Sequence, residues 1–368
     1  MPIIEIIVIG CMVASTAALP GCFLLLRNMA MMSDAISHSV FLGIVLMFFA
    51  IKTLHSPLLI LAATATGLLT VIITEALISS KKMKKDAAIG FIFPLFFAVA
   101  IILISKYAGQ IHLDQDAAIL GEIAFAPFNR FYVGPMDLGP IGMWIMGIIG
   151  VINVGFIGLF FKELKIATFD PALAASLGLS PRVLHYGLMS CVSITCVGAF
   201  DIVGSILIVA LIITPPATAY LLTRTLRHMI LVSVAIGCCC AVLGTLLAFA
   251  IDASIAGAMC SIAGALFLMA FLFSPHHGIV QKIYNQKQQK VQFSAILLTI
   301  QCYNHQHSPA FETSMANLTD HMRWPEPFAK KVIGRAIEKN YIIKKGTHFQ
   351  ITSFGIEVAK NAIVASEC

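Results

Sequence analysis

The sequence predicts an all-α polytopic membrane protein with about nine transmembrane helices, N-terminus outside and C-terminus cytoplasmic, followed by a small soluble α+β domain. Composition is the first observation behind this: of 368 residues 59% are hydrophobic and 11% charged, with mean hydropathy +0.92. A soluble globular domain carries about 25% charged residues. The second is that apolar runs long enough to cross roughly 30 Å of hydrocarbon fall near 3–26, 33–50, 57–78, 87–104, 140–161, 183–200, 202–222, 229–250 and 254–273. The third is a change of character past Ser274, where the chain becomes as polar as an ordinary soluble domain.

The runs can be taken in order. No Lys or Arg precedes the first, only Glu5, and although Leu19-Pro20-Gly21-Cys22 faintly resembles a lipoprotein cleavage site, its length suits a retained first helix rather than a leader. The second opens SDAISHSVFLGIVLMFF, residues 33–49. Asp34 and His38 are about one helical turn apart and project from one face. Ionisable groups within a span are costly and usually mark a pathway or a relay. Carboxylate and imidazole on one face can both ligate a borderline divalent ion such as Mn²⁺, Fe²⁺ or Zn²⁺; a packed polar contact between the two is the competing reading. The third run carries another ionisable group, Glu75. Asp201 and Asp252 fall at the ends of later runs, where solvated end residues are ordinary.

The basic clusters are Arg27, Lys81-Lys82-Met83-Lys84-Lys85, Lys162 with Lys165, Arg182, and Arg224 with Arg227. With one crossing per run, all of them lie on one side, which is the cytoplasm by the positive-inside rule; Lys52 and Lys106 are minor exceptions. The outer loop 105–139 is polar and contains His112, Asp114 and Asp116, a weak metal-collecting patch or a solvated loop. On the inner side, 160–182 spells a short surface helix. Asp170 is a good N-cap, Pro171 suits the first helical position and Gly178 the C-terminal stop. Such a helix between two spans is either a docking element or an ordered loop. The ten cysteines form no C-x-x-C pair and read as small buried residues.

Pro275-His276-His277-Gly278 closes the membrane portion, assigned to 1–278, and a Lys/Gln-rich linker is expected over 279–292. The order over 293–368 is helix (293–304), helix (313–321), a turn at Arg323-Trp324-Pro325, helix (327–340), a two-stranded ribbon (341–352) and a helix from Gly355. That is a winged-helix pattern, with Lys330, Lys331 and Arg335 on the second helix of the motif, the one that enters the major groove in DNA-binding versions. His276, His277, His305 and His307 lack acidic or thiolate neighbours at ligand spacing and read as surface histidines.

An ATP-binding role is excluded for this chain, because a phosphate-cradling P-loop needs Gly-Lys and no Gly here is followed by Lys. Neither G-x-S-x-G nor H-E-x-x-H occurs, so a hydrolase is poorly supported. The blocks GCFLLLRNMAMMSDAISHSVFLGI, KKDAAIGFIF, FKELKIATFDPALAASLGL and VGSILIVALIITPPATAYLL, followed by SPHHG, occur in this order. Over residues 10–278 the chain resembles the integral-membrane permeases of the metal-ion ABC importer family, which carries manganese, zinc or iron. The resemblance implies that Asp34 and His38 line the ion pathway. It also implies that Asp170, Pro171, Ala175 and Gly178 belong to a helix gripped by a separate ATPase subunit. Further implied are a second permease subunit, a homo- or heterodimer partner, and an extracytoplasmic metal-binding protein. ATP would bind the partner ATPase, no cofactor would be held permanently, and the metal ion would be cargo. The setting would be the cytoplasmic membrane of a bacterium. Ser33 stands where many relatives have Gly. The tail is a larger departure, resembling the DNA-binding part of iron- or manganese-dependent repressors without their dimerisation domain. Two other functions stay open: a membrane-tethered, metal-responsive transcription regulator acting through the tail, and a membrane metalloenzyme using Asp34, His38 and Glu75.

Overall fold

The computed structural model describes residues 2–52, 57–107, 123–133, 136–275, 278–304, 322, 324–345 and 348–367. His112, Asp114, Asp116, His276, His277, His305, His307 and the expected helix 313–321 lie outside them. The chain divides into two compact units, Met1–His276 and His277–Cys368.

In the first unit the apolar runs become α1 (Pro2–Leu26), α2 (Met31–Ile51), α3 (Pro57–Ser79) and α4 (Lys85–Tyr107). The polar loop 105–139 contains a 3₁₀ turn at Ala126–Phe128 and an antiparallel hairpin of β1 (Arg130–Val133) and β2 (Met136–Pro140). Helix α5 (Ile141–Leu159) follows. The single surface helix expected near 170–178 is the second of a pair, α6 (Phe161–Phe169) and α7 (Pro171–Ser176).

The largest difference from the sequence reading concerns the two spans expected at 183–200 and 202–222. They form one 42-residue element, α8 (Pro181–Leu222), and the unit is completed by α9 (Leu226–Ile251) and α10 (Ile255–Phe273). Among the described residues, eight rather than nine helices are therefore long and apolar enough to cross a membrane. A straight helix of that length would extend about 63 Å, roughly twice the hydrocarbon thickness. The break is at Gly204, with φ 80° and ψ 166°, a conformation open essentially to glycine.

The neighbours of α8 show its path. His185, near its start, meets Arg27 just past the C-terminal end of α1, and Thr195 bonds Asn153 of α5, which also bonds Thr16 midway along α1. Ile202 packs against Gly142 at the start of α5. Ile212 and Pro216 then lie against Gly21 near the C-terminal end of α1, and Leu221 accepts from Ser274 at the end of α10. The two halves of α8 thus run in opposite directions, and a single glycine replaces the loop that would have marked the turn. The core around them combines Ile9, Val13 and Ala17 of α1 with Ile36 and Val40 of α2, Met146 of α5, and Val192, Ile208 and Ile212 of α8.

The second unit opens with α11 (Ile279–Asn304), so residues 279–292 continue a helix instead of forming the expected linker. Gln and Lys are good helix formers, and their polarity reflects exposure. Then come α12 (Glu326–Glu338), β3 (Ile342–Lys345), β4 (His348–Ile351) and α13 (Ser353–Glu367), with β3 and β4 antiparallel. Ala329, Val332, Ile333 and Ala336, at i, i+3, i+4 and i+7, put one buried stripe on α12. Val332, Ile333 and Ala336 pack with Ala295, Leu298 and Cys302 of α11 and with Ile342 and Phe349 of the ribbon. Burial pushes the Cys302 thiol up to about 11.

Candidate functional site

Asp34 and His38 share one face of α2, as the spacing requires. His38 Nε2 lies 3.3 Å from Asp34 Oδ1, with the two side chains 31% and 29% exposed, so neither is sealed away. The imidazole stacks on Phe93 of α4, with ring centroids 5.6 Å apart, and meets Phe97 edge-on at 6.1 Å. These contacts orient the ring and leave its nitrogens beside the carboxylate. Ser33, Ser37 and Ser39 around the pair are buried. Their hydroxyls are committed elsewhere: Ser33 and Ser37 donate to backbone carbonyls one turn back, and Ser39 accepts from Thr70 of α3 at 2.7 Å. The ionisable pair is thus the reactive part of this face. It offers one oxygen and one nitrogen ligand, a set suited to a borderline divalent cation.

Glu75 does not join them. It pairs with His185 of α8. Among the described residues no group of three or more His, Cys, Asp or Glu stands together as a metal site. Glu75, expected beside Asp34 and His38, thus stands with His185 instead, and the three do not form one site among the described residues.

Near the C-terminal end of α1, the cap chemistry of α7 follows from its sequence. Asp170 Oδ1 accepts from the Leu173 N–H at 2.9 Å, Pro171 occupies the first helical position, and Gly178 takes φ +79°. Leu164, Ala167 and Ala174 pack under the α6–α7 pair against Phe23, Leu184, Leu188 and Leu226. Arg227 lies over the Phe161 ring at 5.7 Å. The opposite side carries Phe169, Leu173 and Leu177, spaced four residues apart and 62%, 48% and 59% exposed. Ala175 and Gly178 are exposed beside them. Phe169, Leu173 and Leu177 thus leave an apolar stripe uncovered by this chain.

At the other end, Arg130 of β1 bridges Glu5 of α1, at 2.5 Å, and Asp137 of β2. The Gly139 backbone N–H and the Arg130 guanidinium hold the Asp137 carboxyl below the usual carboxylate range, and hydrogen bonds to Glu5 and Asp137 hold Arg130 above its own. Asp201 and Asp252 are exposed, with Asp252 in the left-handed conformation at the end of α9.

Sequence reasoning missed the functional neighbours of Arg27, which it used only as a topology marker. Arg27 Nε donates to Thr168 Oγ1 of α6 at 3.1 Å, and its Nη1 lies 3.2 Å from His185 Nδ1. The signal that could have found His185 was one it shares with His38: a histidine within the first two turns of an apolar run.

Comparison with known proteins follows the same division of the chain. The ABC 3 transport family matches residues 2–274, the extent of the first unit. The zinc transport system membrane protein TroD of Treponema pallidum is 42% identical over 362 residues, covering 97% of each chain. The manganese transport system membrane protein MntD of Bacillus subtilis is 44% identical over 277 residues, 75% of this chain and 94% of its own. TroD therefore extends over both units, and the tail is not peculiar to this chain. Among solved structures, PsaBC from Streptococcus pneumoniae, in complex with Fab, matches with TM-score 0.63 and 31% identity over 77% of this chain and 94% of that one.

Proposed function

This chain belongs to the ABC 3 transport family, and from that premise we propose that it is the transmembrane permease subunit of an ATP-driven importer of divalent transition-metal ions, Mn²⁺, Zn²⁺ or Fe²⁺. The observation that carries the reading is the Asp34–His38 pair, two ligands on one face of a helix with no other ionisable side chain. A transport site must release what it binds. Two ligands from this chain, completed by water, backbone carbonyls or the second permease subunit, bind weakly enough to let the ion leave.

The chain crosses the cytoplasmic membrane nine times, because α8 enters and returns at Gly204, with the N-terminus outside and the C-terminus inside. This count puts Arg27, Lys81–Lys85, Lys162, Arg182 and Arg224 on one side, as the positive-inside rule asks. An extracytoplasmic binding protein delivers the ion near the Glu5–Arg130–Asp137 bracket. ATP is hydrolysed on a separate ATPase subunit, which grips Phe169, Leu173 and Leu177 around the α7 caps Asp170 and Gly178. Alternating access then exposes Asp34 and His38 to one side at a time. The second unit is a winged-helix type domain for which DNA binding is not the favoured role: Lys330 and Arg335 on α12 are paired with Glu326 and Glu338, both at 2.7 Å.

The test is uptake of radiolabelled Mn²⁺ or Zn²⁺ at matched membrane expression. Asp34→Ala and His38→Ala are each expected to abolish uptake with insertion intact. Uptake at the wild-type rate in both would remove the pair from the ion path.

A further inference from the structure

The inner end of the first unit holds a run of polar contacts used neither by the ion pair nor by the partner-facing stripe. It begins at Thr168 of α6, passes through Arg27, which follows α1, to His185 of α8, and ends at Glu75 of α3. Its middle, at Arg27, and its Glu75 end both lead towards Asp34. Arg27 is joined to α2 by three residues, and α3 is joined to α2 by the Thr70–Ser39 hydrogen bond. The other end, Thr168, stands two residues before the cap Asp170.

The chemistry of this run differs from that of the packing beside it. Leu164, Ala167 and Ala174 hold the α6–α7 pair to the unit by apolar burial, which is non-directional and tolerates sliding. A guanidinium is a rigid plane with its N–H groups in a fixed fork. One plane that meets Thr168 with Nε and His185 with Nη1 fixes the spacing of two elements. The imidazole repeats the device, with Nδ1 towards Arg27 and Nε2 towards Glu75. Displacement of α6 therefore pulls on α8 through bonds of fixed direction at Arg27, and on α3 through the close His185–Glu75 ion pair. Among the described residues Arg27 Nη2 is buried with no hydrogen-bond acceptor, which leaves the guanidinium a donor with which to change partners as the helices move.

We propose that Arg27 and His185 are positioning residues for transport, passing the motion of the α6–α7 pair to the helices that carry and support Asp34 and His38. The proposal rests on the permease reading. Its test uses the full chain reconstituted in liposomes with its ATPase and binding protein, and measures Mn²⁺ or Zn²⁺ taken up per ATP hydrolysed. Thr168→Val, which removes one hydroxyl, Arg27→Lys, which keeps charge but loses the fork, and His185→Asn are compared with the double variant T168V/R27K. Each single variant should raise the ATP consumed per ion by about tenfold, within the range of measured coupling between sites, with unchanged ion binding by the isolated full chain. The double variant should be no worse than the worse single, as for members of one chain of contacts. A wild-type ratio in the single variants, additive effects, or uptake and ATPase falling together with a lowered melting temperature would each overturn the proposal. Absence of ion uptake by the wild-type complex would instead overturn the permease reading, before any variant is compared.

Discussion

Replacing Gly178 with valine tests whether the partner-facing helix must be ordered. Helix α7 has six residues, far below the roughly 12–15 at which an isolated helix becomes marginal in water. Its order depends on its ends. Asp170 closes the first turn, and the N–H groups of Gly178 and Leu179 donate to Ala175 and Ala174 at 3.1 Å each. Gly178 has φ +79°, and nothing lies within 4 Å of where its Cβ would stand, so the cost of a side chain is backbone strain alone. An L-residue in the left-handed region costs about 1–2 kcal/mol, with valine at the upper end because of its branched Cβ. At about 1.4 kcal/mol per factor of ten, Gly178→Val should raise the opened population of α7 by about 30-fold. Asparagine enters this region readily and should stay near wild type. Hydrogen exchange over residues 170–180 of the reconstituted full chain measures the opening. ATPase stimulation by loaded binding protein, alongside uptake, measures its consequence. Exchange within about twofold of wild type in the valine variant would refute the strain argument. Full stimulation with normal transport despite faster exchange would show that the segment is only a loop.

Asn153 is buried and donates to Thr195 at 2.7 Å and to Thr16 at 3.3 Å. Interhelical bonds of this kind are worth about 0.6–2 kcal/mol, so Asn153→Ala should lower the melting temperature of the detergent-solubilised chain by a few degrees, and adding Thr195→Val should lower it little further. At the β1–β2 hairpin, Trp144 Nε1 donates to the Leu138 carbonyl and becomes the only tryptophan in a Trp324→Phe background. The folded pKa of Asp137 is depressed, so its contribution is full above the unfolded value of about 3.9 and fades only as pH falls through the lower folded value. Trp144 emission should therefore hold from pH 7 to about 4.5, and a transition near pH 6 would contradict the bracket. Residues 277–368, cut ahead of α11 rather than through it, should melt cooperatively on their own. They should bind the promoter of their own operon no more tightly than about micromolar at physiological salt, and a tighter sequence-specific complex would restore the DNA-binding reading.

By itself the sequence determined what depends on neighbours along the chain. Run length and composition made the helices, and the spacing of Asp34 and His38 put both on one face. Asp170, Pro171 and Gly178 opened and stopped a helix through hydrogen bonds that span three to five residues. The β3–β4 ribbon was legible for the same reason. Only the tertiary structure decided what those helices face. Glu75 carries the same charge as Asp34 and sits in a similar run, yet its partner is His185, because α3 presents it to α8. Arg27 read as a topology marker until folding brought Thr168, 141 residues away, and His185, 158 residues away, to the N–H edges of its guanidinium. The return of α8 was also hidden, since Gly204 is one of 26 glycines and carries no mark of its positive φ. Caps and periodicity are short-range and leave a trace in local residue types; the pairing of distant polar groups is set by which helices pack together, and apolar packing is too undirected to announce its partners in advance.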